Sequence, residues 1–221
     1  MKFSIKKKYF KKKESKNMST PDIRIAVFDT ETTGVDPKKN GITQIALELG
    51  VIKNGEYHTT GEYNFIVRPF PTDVIEEQAL KVQGRTREDV MAGEEPRVVY
   101  RKLLEILGAV VDKYNKKDKM FFVAYNGSFD MDFLRSFWMK NGDEFFGSFF
   151  FYPDIDVCRI AGFKAMEDRP EMQNFKLGTV ADHFGIERPP FGDLHDASVD
   201  LALTLDLFLK FKGVVRAEVS K

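Results

Sequence analysis

The first strand signal is an apolar run at residues 23–31, ended by the turn chemistry of Thr32-Thr33-Gly34 and Asp36-Pro37. Residues 44–52 follow, with Ile45, Leu47, Leu49 and Val51 on one face. Lys53-Asn54-Gly55-Glu56 is a hairpin signal, and 57–67 returns as a third strand stopped by Pro69 and Pro71. The period then changes. Residues 75–82 and 96–114 have helical spacing, with Val99, Leu103, Ile106 and Val110 in one stripe. A fourth strand is expected at 120–125, a helix at 128–140 with Phe129, Phe133 and Phe137 on one side, and a fifth strand at 149–152. Short helices are expected at 155–163 and 175–184, and a last one at 196–211. A three-strand meander followed by alternating helices and strands predicts a single α/β domain over 22–212, a mixed five-stranded sheet flanked by helices. The ends, 1–21 and 213–221, read as a basic disordered leader and a frayed tail.

Composition adds two things. The 221 residues are 43% hydrophobic and 31% charged, a soluble globular balance with room for a substantial core. The net charge of zero hides an asymmetry: residues 1–17 carry eight lysines against one acid, a surplus of seven that leaves the remainder equally acidic. Bulk charge therefore does not point to nucleic acid; the lysine run is a solvated leader or an arm that tethers phosphates. One cysteine, Cys158, forms no internal disulfide, and no apolar run reaches membrane-spanning length. A cytoplasmic protein with no membrane attachment is the expectation.

The chemistry lies in three short segments. In Asp29-Thr30-Glu31, residues two apart on a strand share a face, so both acids point the same way as Ile25 and Val27. Two carboxylates at the end of a buried strand repel and need a proton or a cation, and hard divalent cations take carboxylate oxygens. In Tyr125-Asn126-Gly127-Ser128-Phe129-Asp130 a strand gives way to a helix; Ser128 is the expected N-cap, with Asp130 in the first turn where the helix dipole favours an acid. In His195-Asp196-Ala197-Ser198-Val199-Asp200, Asp196 caps the last helix, Asp200 falls in its first turn, and His195 stays on the preceding loop. Asp154 and Asp156 make a second acid pair at the same spacing, and the Phe145–Phe151 aromatics are read as core.

FDTETTG, NGSFD and HDASVD, in this order, resemble the three motifs of the DEDDh exonucleases, which include the epsilon proofreading subunit of bacterial DNA polymerase III and ribonuclease T. ALKVQGRT at 79–86 and NFKLGTVADHFGI at 174–186 resemble that family's intervening segments, so the likeness covers roughly 22–212. The resemblance implies a ribonuclease H-like fold and a 3′→5′ exonuclease acting on single-stranded DNA or RNA ends with two divalent ions, Mg²⁺ or Mn²⁺. It implies Asp29, Glu31, Asp130 and Asp200 as metal ligands, with Asp29 bridging, and His195 as the general base that deprotonates the attacking water. Thr32, Thr33, Gly34 and Val35, with Asn126, would hold the terminal sugar and base. The acid of the Asp154/Asp156 pair, by the same resemblance, opens a helix and holds no metal, and Gln83 stands where many relatives have histidine, which weighs against a base contact there. A proofreading subunit beside a separate polymerase, a homodimer, and a catalytically silent nucleic-acid-binding module are the rival readings.

Overall fold

The computed structural model describes residues 21–188 and 196–217. Six strands form one sheet: β1 (Ile23–Thr32), β2 (Ile42–Lys53), β3 (Glu56–Ile66), β4 (Phe121–Ala124), β5 (Ile155–Asp156) and β6 (Val215–Arg216), in the order β5-β4-β1-β2-β3-β6. β1, β2 and β3 form the expected antiparallel meander, and β2 turns into β3 through Asn54 and Gly55, both at positive φ. An Asn-Gly pair reaches that conformation at little cost, which is why it makes tight hairpins. β4 lies parallel to β1 and β5 parallel to β4.

The helices among the described residues are α1 (Glu77–Val82), α2 (Arg87–Met91), α3 (Pro96–Val110), α4 (Gly127–Lys140), α5 (Val157–Lys164), α6 (Leu177–His183) and α7 (Ala197–Lys212). They divide between the two faces of the sheet. Ala26, Phe28, Ile45 and Leu47 pack with α3 and α4; Ile25, Val27 and Ala46 pack with α5, α6 and α7. Alternation along β1 thus feeds two cores at once, as expected of a central strand in a layered α/β domain.

The departures from the expected elements have local causes. α3 ends at Val110, short of residue 114, because the chain turns extended at Val111 and Arg24 donates to the Val110 carbonyl at 2.6 Å. The Asp118 and Asp112 carboxylates then accept from the Asp112 and Tyr114 amides, holding the next segment in turns. α2 was not anticipated; a capping box between Thr86 and Asp89 starts it. The fifth strand is at Ile155–Asp156 and not at 149–152. Residues Phe146–Phe149 form a 3₁₀ turn, and only Phe150 bridges, to Met120. Phe146, Phe149 and Phe150 all enter the same core against Phe28, Phe122 and Trp138, and residues three apart on a 3₁₀ turn share a side whereas a strand would alternate them. Phe145 stays exposed, and Phe151 is half-buried against Phe121 outside that core. Val215–Arg216, expected in a frayed tail, pairs with β3 at Glu56 and Tyr57. Arg216 there reaches both Asp206 of α7, at 3.0 Å, and buried Glu48, at 3.7 Å. No helix among the described residues is long and apolar enough to cross a membrane.

Candidate active site

β1 and β4 are parallel neighbours, so their C-terminal ends open on the same edge of the sheet. β1 delivers Asp29 and Glu31 on the α7 side; β4 leads through Tyr125 and Asn126 into α4, whose first turn carries Asp130. α7 starts at the same edge. Its N-cap is Asp196, whose carboxylate accepts from the Ser198 amide at 2.9 Å, and Asp200 follows in the first turn. Asp29, Glu31 and Asp200 come together, each offering a carboxylate oxygen within 4.8 Å of the others. Asp130 stands beside this trio and is fixed by the Thr30 hydroxyl, which donates to it at 2.8 Å. Thr30 sits between the two acids of β1 and faces the other way, so the strand's alternation places Asp29 and Glu31 with α7 while tying Asp130 to the reverse side.

Electrostatics shows what bringing these groups together costs. Burial, then the charges of Asp130, Asp200 and Glu31, push the Asp29 carboxyl well above the usual carboxylate range. Glu31 is raised to about 8 by burial and Asp200, against the opposing Arg85 guanidinium. Asp130 is raised to about 7 by burial, although hydrogen bonds involving Thr30 favour its charged form. Each shift favours the protonated carboxyl where no cation is present. Three carboxylates whose oxygens lie within 4.8 Å of one another, with the Arg85 guanidinium opposing them at Glu31, are a donor set that fits a hard divalent cation.

The other expected site residues fall into two groups. Thr32 and Thr33 are buried and their hydroxyls serve the turn: Thr32 donates to the Gly34 carbonyl at 2.6 Å, and Thr33 donates to the Val74 carbonyl at 2.6 Å while accepting from the Gly41 amide. Gly34 is there for want of space, since a Cβ would sit 2.3 Å from the Asn40 amide nitrogen. Val35 and Asn126 have exposed side chains. Val35 is 79% exposed at the tip of the turn. Asn126 is the left-handed N-cap of α4, at φ 61, and its backbone N–H donates to Asp156 at 3.1 Å. The N-cap of α4 is therefore Asn126 and not Ser128, and Asn126 makes no side-chain cap hydrogen bond. Asp156 is the helix-opening acid that was expected, accepting from the Cys158 and Arg159 amides at the start of α5. His195 lies outside the described residues.

The sequence does not single out Gln44 and Arg85, and it marks Gln83 only as a doubtful base contact; all three are joined to the site. Gln83 donates to the Thr32 carbonyl at 2.6 Å and accepts from the Thr43 hydroxyl at 3.0 Å. It thereby braces the strand end that carries Glu31. Gln44, fully buried, takes a hydrogen bond from Arg85 and gives them to Asn64 and Asp196. A lone amide within the apolar run of β2 was the available signal.

A mixed sheet with acids from three elements converging at the ends of its central parallel strands defines a carboxylate centre of the kind that binds hard cations. Residues 26–208 match the exonuclease family represented by ribonuclease T, and the chain belongs to that family. Among curated proteins it is similar to the PolC-type DNA polymerase III of Thermotoga petrophila, 28% identical over 202 residues that cover 91% of this chain and 13% of that protein. It is also similar to the PolC-type enzyme of Mycoplasmopsis pulmonis, 28% identical over 199 residues covering 87% and 12% of the two chains. The chain thus spans about one eighth of the length of these relatives. Among solved structures, E. coli exonuclease I in complex with a dT13 oligonucleotide superposes with a TM-score of 0.66 at 20% identity, covering 86% of this chain and 41% of that one. Apo exonuclease I superposes at 0.64 with 19% identity, over 87% and 42%. At that identity the likeness speaks for the fold, a ribonuclease H-like sheet with flanking helices.

Proposed function

We propose that the chain is a metal-dependent 3′→5′ exonuclease that removes nucleoside 5′-monophosphates from single-stranded nucleic acid ends. The observation that carries this reading is the convergence of Asp29, Glu31 and Asp200 within 4.8 Å in a member of an exonuclease family. Asp29, Glu31 and Asp200, with Asp130 beside them, would hold two divalent ions, Mg²⁺ or Mn²⁺. Bound there, such ions supply a lowered pKa for the attacking water and charge stabilisation for the leaving oxygen.

The chain's own residues do the rest. His195, which precedes the α7 cap in sequence, takes the proton of the attacking water as a neutral imidazole, a general base suited to neutral pH. The Thr32 and Thr33 hydroxyls shape the turn, so of the motif residues Val35 and Asn126 are the side chains left to meet substrate. Val35 packs against the terminal base and Asn126 offers its amide to the sugar or phosphate. The catalytic unit is residues 22–212 together with β6, and its setting is the cytoplasm.

End-labelled DNA and RNA oligonucleotides, single- and double-stranded, incubated with Mg²⁺, Mn²⁺ or EDTA, test this reading. Stepwise shortening from the 3′ end that EDTA abolishes is expected. Internal cuts, 5′ shortening or full activity in EDTA would refute it. The similarity to part of PolC-type polymerases favours a second reading, proofreading beside a separate polymerase chain. A mismatched primer terminus should then be removed faster than a matched one, and more so when the polymerase is added.

A further inference from the structure

The turn after α1 is built to point two side chains at the catalytic strands. Gly84 takes the left-handed conformation at φ 64, and the amides of Gly84 and Arg85 donate back to the Lys81 and Leu80 carbonyls. These are the two hydrogen bonds of a Schellman motif, which fixes the direction in which the chain leaves a helix. From this turn Gln83 reaches the Thr32 carbonyl at the end of β1, and Arg85 reaches the Gln44 side-chain oxygen at 2.7 Å.

Gln44 passes the connection on. Its amide nitrogen donates to Asp196 at 3.1 Å and to Asn64 at 3.0 Å. Asp196 uses the same oxygen to cap α7 through the Ser198 amide. Gln44 is fully buried, so water does not replace a lost partner there, and an orphaned amide is costly. A primary amide can turn about its last bond, which would exchange the oxygen for the nitrogen. A guanidinium has only donors, so Arg85 admits one orientation of Gln44, the one that aims the NH₂ at Asp196.

We propose that Arg85 is a positioning residue of the active site: through Gln44 it fixes the α7 cap at Asp196 and so holds Asp200 against Asp29 and Glu31. Its effect on the reaction rests on the exonuclease reading; its effect on α7 does not. Lysine can satisfy the same acceptor but is a flexible point donor, so Arg85→Lys keeps part of the arrangement and Arg85→Met none of it.

Hydrogen–deuterium exchange of the full chain in EDTA reads the structural half directly. Arg85→Met should speed exchange in peptides covering residues 196–204 by about tenfold, the weight of one hydrogen bond to a charged group. Arg85→Lys should recover part of that protection, and peptides from α3 should not change. Unchanged exchange over 196–204 would overturn the proposal, as would an equal rise everywhere.

Kinetics on a short single-stranded oligonucleotide with Mn²⁺ reads the other half. Arg85→Met should lower kcat by about tenfold with KM within about threefold, since a misplaced acid weakens the chemical step more than substrate binding. In an Asp196→Ala background the same substitution should cost little, because the residue through which it acts is gone. A raised KM with unchanged kcat would show direct substrate contact, and a full loss repeated in the Asp196→Ala background would show that Arg85 acts through its charge beside Glu31; either result overturns the positioning role. A wild-type protein that cleaves no oligonucleotide would remove the exonuclease reading while leaving the exchange result to decide the relay.

Discussion

Glu31 offers the most direct measurement of what the acid cluster costs the fold. Burial and the neighbouring Asp200 raise its pKa from 4.5 to about 8, Arg85 opposing. A carboxyl whose folded pKa lies above its unfolded one favours the folded state when protonated. Its contribution is complete below pH 4.5 and is lost as pH rises through about 8. Each unit is worth about 1.4 kcal/mol, so the shift amounts to a loss of at most about 5 kcal/mol across that window. Glu31→Gln keeps the size of the side chain and removes the titration. Urea denaturation in EDTA, followed by the fluorescence of the single, fully buried Trp138, gives the stability of both proteins at pH 5 and pH 8.5. The two should be similar at pH 5, and the variant should be the more stable by several kcal/mol, about 5 at most, at pH 8.5. Adding Mg²⁺ at pH 8.5 should then stabilise the wild type more than the variant, because the cation binds where the proton has left. A difference between the two proteins that stays flat from pH 5 to pH 8.5 would refute the reasoning and make Glu31 an ordinary solvated acid.

His195→Ala should lower the single-turnover rate by about 10²–10⁴-fold with metal affinity nearly unchanged, and the inflection that reports imidazole deprotonation should vanish from its pH–rate profile. An unaltered profile would assign the proton to another group. Phe146→Ala should cost about 3–5 kcal/mol of stability, since the ring is fully buried among Phe28, Phe122, Trp138 and Phe150; a loss under about 1 kcal/mol in urea denaturation would contradict that packing. Deleting residues 1–17, with their eight lysines, should leave the salt dependence of oligonucleotide binding unchanged. A flatter log–log slope after deletion would show that the lysines neutralise phosphates.

What the sequence discloses about such a site depends on how many elements must be placed before the chemistry appears. Asp29 and Glu31 need only one, since strand alternation alone puts them on a shared face, and the Asp196 cap fixes Asp200 by helix geometry. Both are legible from a few neighbouring residues. The Gln44 amide is different. Period-two alternation leaves it opposite Ile45 and Leu47, where a strand with one wet face would expose it, yet α7 covers that face and buries it. Its partners are Arg85, Asn64 and Asp196, the last 152 residues away, and no local pattern joins them. Thr32 and Thr33 differ in another way. Their place in the first motif suggests substrate contact, but a position says nothing of which acceptor a hydroxyl finds, and theirs are carbonyls of the same fold. The aromatic run at 146–150 misleads for a third reason. β-propensity describes a residue that packs on one side of a pleated surface, and here three rings had to reach one side. In each case the missing information is a hydrogen-bond or packing partner distant in sequence. Carboxylate clusters read early because their own repulsion marks them; the neutral groups that brace them carry no such mark until the fold shows what they touch.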